Sequence, residues 1–223
     1  MHVGVTLVDS LDTLWLMGLK TEFAEAREWV ASKLSFDHAG SVSVFETTIR
    51  ELGGLLSAFD LSGDAIFLEK AKQLGDRLAK AFDTGSGIAC SSVDISNAGG
   101  GCRQGGTAVL SEMGTLQVEF RYLSHHTKEL RYEQQAMKGF QIMNRINPGN
   151  GLFPIHISKQ SGAFASQHIT FGALGDSFYE YLLKTWLQGG RQEAWLRDMY
   201  DRAIEGMIKL LLKTSKPNGS PLL

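Results

Sequence analysis

The 223-residue chain predicts an all-α protein in which paired helices form an α/α toroid around a shared cavity. Three observations lead there. Almost every periodic stretch spaces its apolar residues for a helix rather than alternating them. The pairs recur: Leu61-Ser62, Leu123-Ser124 and Leu187-Gln188 each close an apolar helix and precede an amphipathic one, and Ser62, Ser124 and Gln188 stand 62 and then 64 residues apart. That period exceeds the roughly 34 residues of a tetratricopeptide and the roughly 40–47 of a HEAT unit, and it fits helix pairs with long loops. Third, the apolar helix of each pair carries charge near its start. Twelve residues before Ser124 and Gln188 stand Glu112 and Asp176, and twelve before Ser62 stands Arg50, one turn beyond Glu46. A ring of inner helices offering charged ends to one cavity is the most economical account.

In chain order, residues 9–18 read as a first helix whose opening turn Asp9 can cap. Residues 20–34 set Phe23, Ala26, Trp29, Val30 and Leu34 on one face. A helix then runs from Ser43 to about Leu61, with Phe45, Ile49, Leu52 and Leu56 as its apolar stripe. Gly53-Gly54 lies in its middle, where each glycine costs about 1 kcal/mol, tolerable where another backbone or a ligand must come close. Residues 65–82 are amphipathic through Ile66, Ala71, Leu74, Leu78 and Phe82, and a loop rich in Gly and Ser spans 83–106. One apolar helix over 108–126 carries Glu112 and Glu119, and an amphipathic helix over 129–146 stops at Asn147-Pro148-Gly149. Two β-like pieces, 151–155 and 167–171, predict a small hairpin in the next loop, and helices 174–188 and 192–214 close the chain. Residues 1–223 read as a single domain.

Composition narrows the function. The chain is 43% hydrophobic and 21% charged with a formal net charge of −2, which points to neither nucleic acid nor an anionic membrane as partner. Cys90 and Cys102 share one glycine-rich loop and are in range to pair, though two thiols define no disulfide framework. No apolar run reaches the roughly 20 residues of a membrane span, and Met1-His2-Val3-Gly4 opens no signal peptide. The expectation is a cytosolic protein, or one whose targeting segment is absent from this chain.

The acids inside apolar helices carry the chemistry. Glu46 and Arg50 are four apart and lie one above the other on a helix, either as a solvated ion pair or as part of a polar site. Glu112 and Glu119 are seven apart and share a face of the predicted 108–126 helix. Asp176 and Glu180 are four apart among Phe178, Tyr179 and Tyr181. A buried carboxylate is costly unless paired or hydrogen-bonded. Asp176 also reads as a helix cap, favoured by the dipole. Five inward acids with aromatic neighbours suit a sugar site, since hydrolysis of a glycosidic bond uses two carboxyl groups, about 6.5–9.5 Å apart when water attacks with inversion. Other candidates point elsewhere. His125-His126 reads as an exposed helix C-terminus rather than a metal pair, and Asp9-Ser10-Leu11-Asp12 as capping rather than a cation loop. Gly99-Gly100-Gly101 with Gly105-Gly106 does not stand between a strand and a helix as a nucleotide loop must, and no Cys/His cluster has zinc spacing.

Four blocks carry a resemblance. Val8-Asp9-Ser10-Leu11-Asp12-Thr13-Leu14, Ser43-Val44-Phe45-Glu46 through Leu55-Leu56-Ser57-Ala58, Glu112-Met113-Gly114-Thr115-Leu116 with Glu119-Phe120-Arg121-Tyr122-Leu123-Ser124, and Gly175-Asp176-Ser177-Phe178-Tyr179-Glu180-Tyr181-Leu182-Leu183 resemble signature blocks of glycoside hydrolase family 47, in order along the chain. The resemblance implies an (α/α)7 barrel, a secretory-pathway class I α-1,2-mannosidase, inverting hydrolysis of terminal α-1,2-linked mannose from Asn-linked high-mannose glycans, and a bound calcium that contacts the sugar. It implies that Glu46 is the acid that protonates the leaving oxygen through a water, that Arg50 is its charge partner, and that Asp176 is a base or water-orienting carboxylate. Glu112, Glu119 and Glu180 match further cavity acids. Leu174 stands where the strict endoplasmic-reticulum type has arginine and Golgi types have leucine.

The family's catalytic domain is roughly twice as long. The expectation is an incomplete barrel, with a second base candidate and the calcium ligand lying beyond this chain, no metal ligand within it, and no hydrolysis by this chain alone. The full-length protein is expected in the endoplasmic reticulum or Golgi lumen, membrane-anchored, acting on glycoproteins. A second reading is a non-catalytic mannose-binding relative in the degradation of misfolded glycoproteins, and a third an α-solenoid scaffold.

Overall fold

The repeat is realised as helix pairs in succession. The structure, a computed structural model, describes residues 4–96, 101–102, 106–216, 219 and 221–222. Two short helices, α1 (Val5–Asp9) and α2 (Leu11–Leu16), pack on α3 (Lys20–Ser32). The second unit runs through α4 (Val44–Glu46), a π-helical segment (Thr47–Leu52) and α5 (Gly53–Ser62), then turns at Gly63 (φ 71°) into α6 (Ala65–Leu78) and a 3-10 turn (Ala79–Phe82). The third holds α7 (Leu110–Met113), α8 (Gln117–Thr127) and α9 (Arg131–Ile146); the fourth pairs α10 (Asp176–Gln188) with α11 (Ala194–Leu210). The first member of each pair touches its counterparts in turn, α2 on α5, α5 on α8 and α8 on α10, which makes an inner wall backed by α3, α6, α9 and α11.

Short strands fix where the inner helices begin. β1 (Ser41–Ser43) pairs antiparallel with β2 (Ser92–Asp94), and β3 (Thr107–Val109) with β4 (His156–Ser158). The first free amide beyond each strand is also taken: Val44 N donates to Ser91 O and Leu110 N to Ile155 O, both at 2.9 Å. A helix start leaves amide groups unsatisfied, so these loop carbonyls tether the ends that carry Glu46 and Glu112. A third pair, β5 (Lys213–Thr214) with β6 (Pro221–Leu222), lies near the end of the chain.

Several expectations need correction; the predicted 192–214 helix ends at Leu210, and Lys213–Thr214 pair as strand β5. The predicted 9–18 helix is two helices, and Asp9 closes the first instead of capping the second; Ser10 holds the cap position without a side-chain bond. The 108–126 helix is broken at Gly114-Thr115-Leu116. A Cβ on Gly114 would stand 2.5 Å from Phe178 Cδ2 and 2.9 Å from Leu110 O, so close packing on α10 leaves no room for a side chain there. Glu112 and Glu119 therefore sit on separate helices, and no common face unites them. The hairpin exists but is displaced: its bonds run from Ser158 N to Ala163 O, Ala165 N to His156 O and Ile155 N to His168 O. Leu152 and Phe153, read as strand, are instead core residues.

Buried residues form two apolar clusters. One gathers Val8, Leu11, Phe23, Leu55, Phe67 and Phe120, and the other Met113, Phe140, Phe153, Phe178, Leu182 and Leu196. Gly54 shows why glycine is needed mid-helix, since a Cβ there would come within 2.6 Å of Val8 O on α1. Cys90 and Cys102 are joined as a disulfide. Gly99, Gly100 and Gly105 lie outside the described residues.

Candidate active site

The π-helical segment places the first cluster. Ser43 Oγ accepts from Glu46 N at 3.2 Å, the N-cap that a serine three residues ahead of a glutamate supplies. Arg50 Nε donates to Glu46 Oε2 at 2.6 Å, and Arg50 Nη1 reaches Asp9 Oδ2 at 3.5 Å. Glu46 first, and then Asp9, holds the guanidinium above the ordinary arginine range. Both members of the Glu46–Arg50 pair are about half exposed, 48% and 46%, so the pair adds little stability and remains open to solvent and ligand.

A second cluster joins α8 to α10. Tyr181 donates its hydroxyl proton to Glu119 Oε1 at 2.8 Å, while Glu119 Oε2 is shut off from solvent without a partner. Burial pushes the Glu119 carboxyl up to about 7, against the opposing pull of its own backbone amide, Tyr181 and Lys184. Burial first, and then the Glu119 charge, holds the Tyr181 phenol above its usual range. Glu119 borders a cavity of about 200 Å³ between α5 and α8, lined also by Gly53, Ser57, Asp60 and Tyr122. Glu112, on α7, is half-buried and its Oε2 likewise lacks a partner.

At the start of α10, Asp176 is exposed and its Oδ1 accepts from Ser177 N at 2.9 Å. The cap position belongs to Gly175, which corrects the reading of Asp176 as the helix cap. Glu180 is exposed and pairs with Lys184 at 2.5 Å, four residues on. Leu174 takes a left-handed conformation (φ 74°), and its carbonyl accepts from Ser111 N at 3.0 Å, tying the start of α10 to α7. Contacts of α4 with α7 and of α7 with α10 thus bring the helix starts bearing Glu46, Glu112 and Asp176 side by side.

Three further groups enter the site. Asp9 is the second acceptor on Arg50 rather than a cap. Tyr181 is a hydrogen-bond donor as well as an aromatic neighbour. Glu51 is 2% exposed, and burial raises its carboxyl to about 7, with Thr47 opposing; an acid beside the apolar position Leu52 was the available signal. His125 is exposed in the last turn of α8 as expected, whereas His126 is half-buried, its ring packed between Phe59 and Tyr122 at centroid distances of 5.1 and 4.5 Å. Among the described residues no three His, Cys, Asp or Glu side chains group as a metal site. Calcium takes about 6–8 oxygen ligands, and among the described residues no carboxylate cluster starts such a set.

The chain belongs to glycosyl hydrolase family 47, whose family model matches residues 1–223. It is 46% identical over 218 residues to mannosyl-oligosaccharide 1,2-alpha-mannosidase MNS1 of Arabidopsis thaliana, covering 96% of this chain and 39% of that protein. It is 45% identical over 222 residues to the endoplasmic reticulum mannosyl-oligosaccharide 1,2-alpha-mannosidase of Homo sapiens, covering 97% of this chain and 31% of that one. The solved alpha-1,2-mannosidase from Trichoderma reesei superposes with a TM-score of 0.87 at 30% identity, over 95% of this chain and 47% of that chain. The α/α-barrel fold agrees with the paired-helix reading, and the chain spans less than half the length of each of these relatives.

Proposed function

We propose that the full-length protein is an inverting α-1,2-mannosidase that removes terminal α-1,2-linked mannose from Asn-linked high-mannose glycans. The observation that carries this reading is the alignment of three inner-helix starts, with the Glu46–Arg50 pair on one, Glu112 on the next and Asp176 on the third. Names of relatives in Arabidopsis and human support it.

In this mechanism Arg50 orients the Glu46 carboxyl, which passes a proton through a water to the glycosidic oxygen. The bond from C1 to that oxygen breaks, and its electron pair leaves with the oxygen. A second water attacks C1 from the opposite face while Asp176 takes its proton, giving free mannose of inverted configuration and a shortened glycan. Glu112, Glu119, Glu180 and Leu174 border the sugar. Calcium belongs to the proposal only with ligands drawn from elsewhere in the full-length protein, and each step above is carried by protein groups and water. An endoplasmic-reticulum or Golgi lumen and a membrane anchor are likewise proposed for the full-length protein; no described helix is long and apolar enough to cross a membrane.

The test is release of mannose from a high-mannose glycan by the full-length protein. Glu46→Gln is expected to lower it by about 10²–10⁴-fold, the usual contribution of a positioned acid. The 223-residue chain by itself is expected to release none. Glycan binding without release would put a non-catalytic mannose-binding protein in the enzyme's place, and neither binding nor release would leave a scaffold.

A further inference from the structure

Arg50 holds two carboxylates at once. Its Nε faces Glu46 at 2.6 Å and its Nη1 faces Asp9 at 3.5 Å. These donors sit on different edges of a rigid plane, so the second contact fixes how the first is aimed. Asp9 and Arg50 are 43% and 46% exposed, which makes the contact worth more as an orienting device than as a source of stability.

The position of Asp9 is itself held by the backbone. It is the last residue of α1, directly after the fully buried Val8. Val8 O lies so close to α5 that a Cβ on Gly54 would stand 2.6 Å away. Three residues on, Asp12 Oδ2 accepts from Ser57 Oγ at 3.0 Å. Val8 against Gly54 and Asp12 against Ser57 therefore lock α1 and α2 in register on the inner helix, and that register delivers the Asp9 carboxylate to the far edge of the guanidinium.

We propose that Asp9 is a positioning residue: it clamps the Arg50 guanidinium so that Nε is aimed at Glu46. Its effect on turnover rests on the reading of Glu46 as proton donor, but the clamp can be measured without it. In the 223-residue chain with ¹⁵N-labelled arginine, Arg50→Lys assigns the Arg50 Nε–H signal. The wild-type signal is expected to stand apart from those of free arginines. Asp9→Asn is expected to broaden it or move it to the free-arginine position. An Arg50 signal unchanged by Asp9→Asn overturns the proposal. Should Asp9→Asn fail to fold, Asp9→Glu carries the test: retention of the wild-type signal supports the clamp, and its loss overturns it.

In the full-length protein the same Asp9→Asn change should lower kcat about 10-fold with KM within about twofold, and Asp9→Glu should restore most of it, since misaimed catalytic groups lose rate without losing binding. A loss confined to KM, or one that Asp9→Glu leaves unrepaired, contradicts the clamp. Absence of mannose release from the wild type would sink the mannosidase reading while leaving the Arg50 signal to decide the role of Asp9.

Discussion

The Tyr181 hydroxyl donates to Glu119 Oε1 across an interval of 62 residues. Thr115 Oγ1 donates to Ser177 Oγ at 2.7 Å over the same interval, and Tyr122 reaches Asp60 over it as well. That spacing is about one helix-pair repeat, so each bond joins neighbouring units of the inner wall. The polar groups of the inner wall are thus wired from one pair to the next.

Tyr181→Phe removes the donor and leaves Glu119 buried with less support. The variant should lose about 1–3 kcal/mol of stability in a denaturant titration, the cost of an unsatisfied buried acceptor. The Glu119 carboxyl should rise further above about 7, because the Tyr181 bond now pulls it down. An unchanged stability with an unchanged Glu119 titration by ¹³C NMR would show that the bond does not operate in solution.

Glu51 and Glu119 both titrate near 7 in the fold, against an ordinary 4.5. Each folded value lies above its unfolded one, so the fold binds these protons more tightly. Their contribution to stability is complete below about pH 4.5 and is lost as pH rises through about 7, on the order of a few kcal/mol for each carboxyl. Thermal midpoints should therefore fall between pH 5 and pH 8, and Glu51→Gln should flatten that fall and raise the midpoint at pH 8. A profile as steep in Glu51→Gln as in the wild type counts against a buried, proton-hungry Glu51.

Two adjacent glycines should respond with opposite signs. Gly54→Ala sets a methyl within 2.6 Å of Val8 O, a backbone atom that cannot rotate away. It should cost about 1–3 kcal/mol as overpacking does. At Gly53 the nearest atoms are Thr48 O at 3.5 Å and Glu119 Cγ at 3.7 Å, ordinary contact distances. Gly53→Ala should be neutral or stabilising by up to about 1 kcal/mol, the helix preference of alanine. Equal losses at both positions in a denaturant titration would contradict the packing of α1 on α5.

Much of this was legible in the sequence, and the failures have physical causes. Helical spacing located α3, α6, α9, α10 and α11 to within a few residues, because each buries one long apolar face. The repeat gave the pairing, and Gly53-Gly54 announced a close approach that Gly54 and Val8 make. The stretch from Leu110 to Thr127 keeps an unbroken apolar spacing, and the break falls at Gly114, where close packing on Phe178, 64 residues away, leaves no room for a side chain and gives no local signal. The strands at Ser41–Ser43 and Thr107–Val109 are three residues each, too short for alternation to register. Glu46 and Arg50 were found by their spacing of four. Asp9 was not, because its partner lies 41 residues away and no local pattern signals that contact.

The central claim is that Glu46 and Asp176 work from opposite sides of a glycosidic bond. Proton NMR of the full-length protein turning over a high-mannose glycan, read in the first minutes before anomers equilibrate, tests it directly. The account predicts that the new mannose signal appears first as the β-anomer, inverted from the α-linked substrate, and vanishes in Glu46→Gln and Asp176→Asn. Mannose released first as the α-anomer, or released undiminished by either variant, would contradict it.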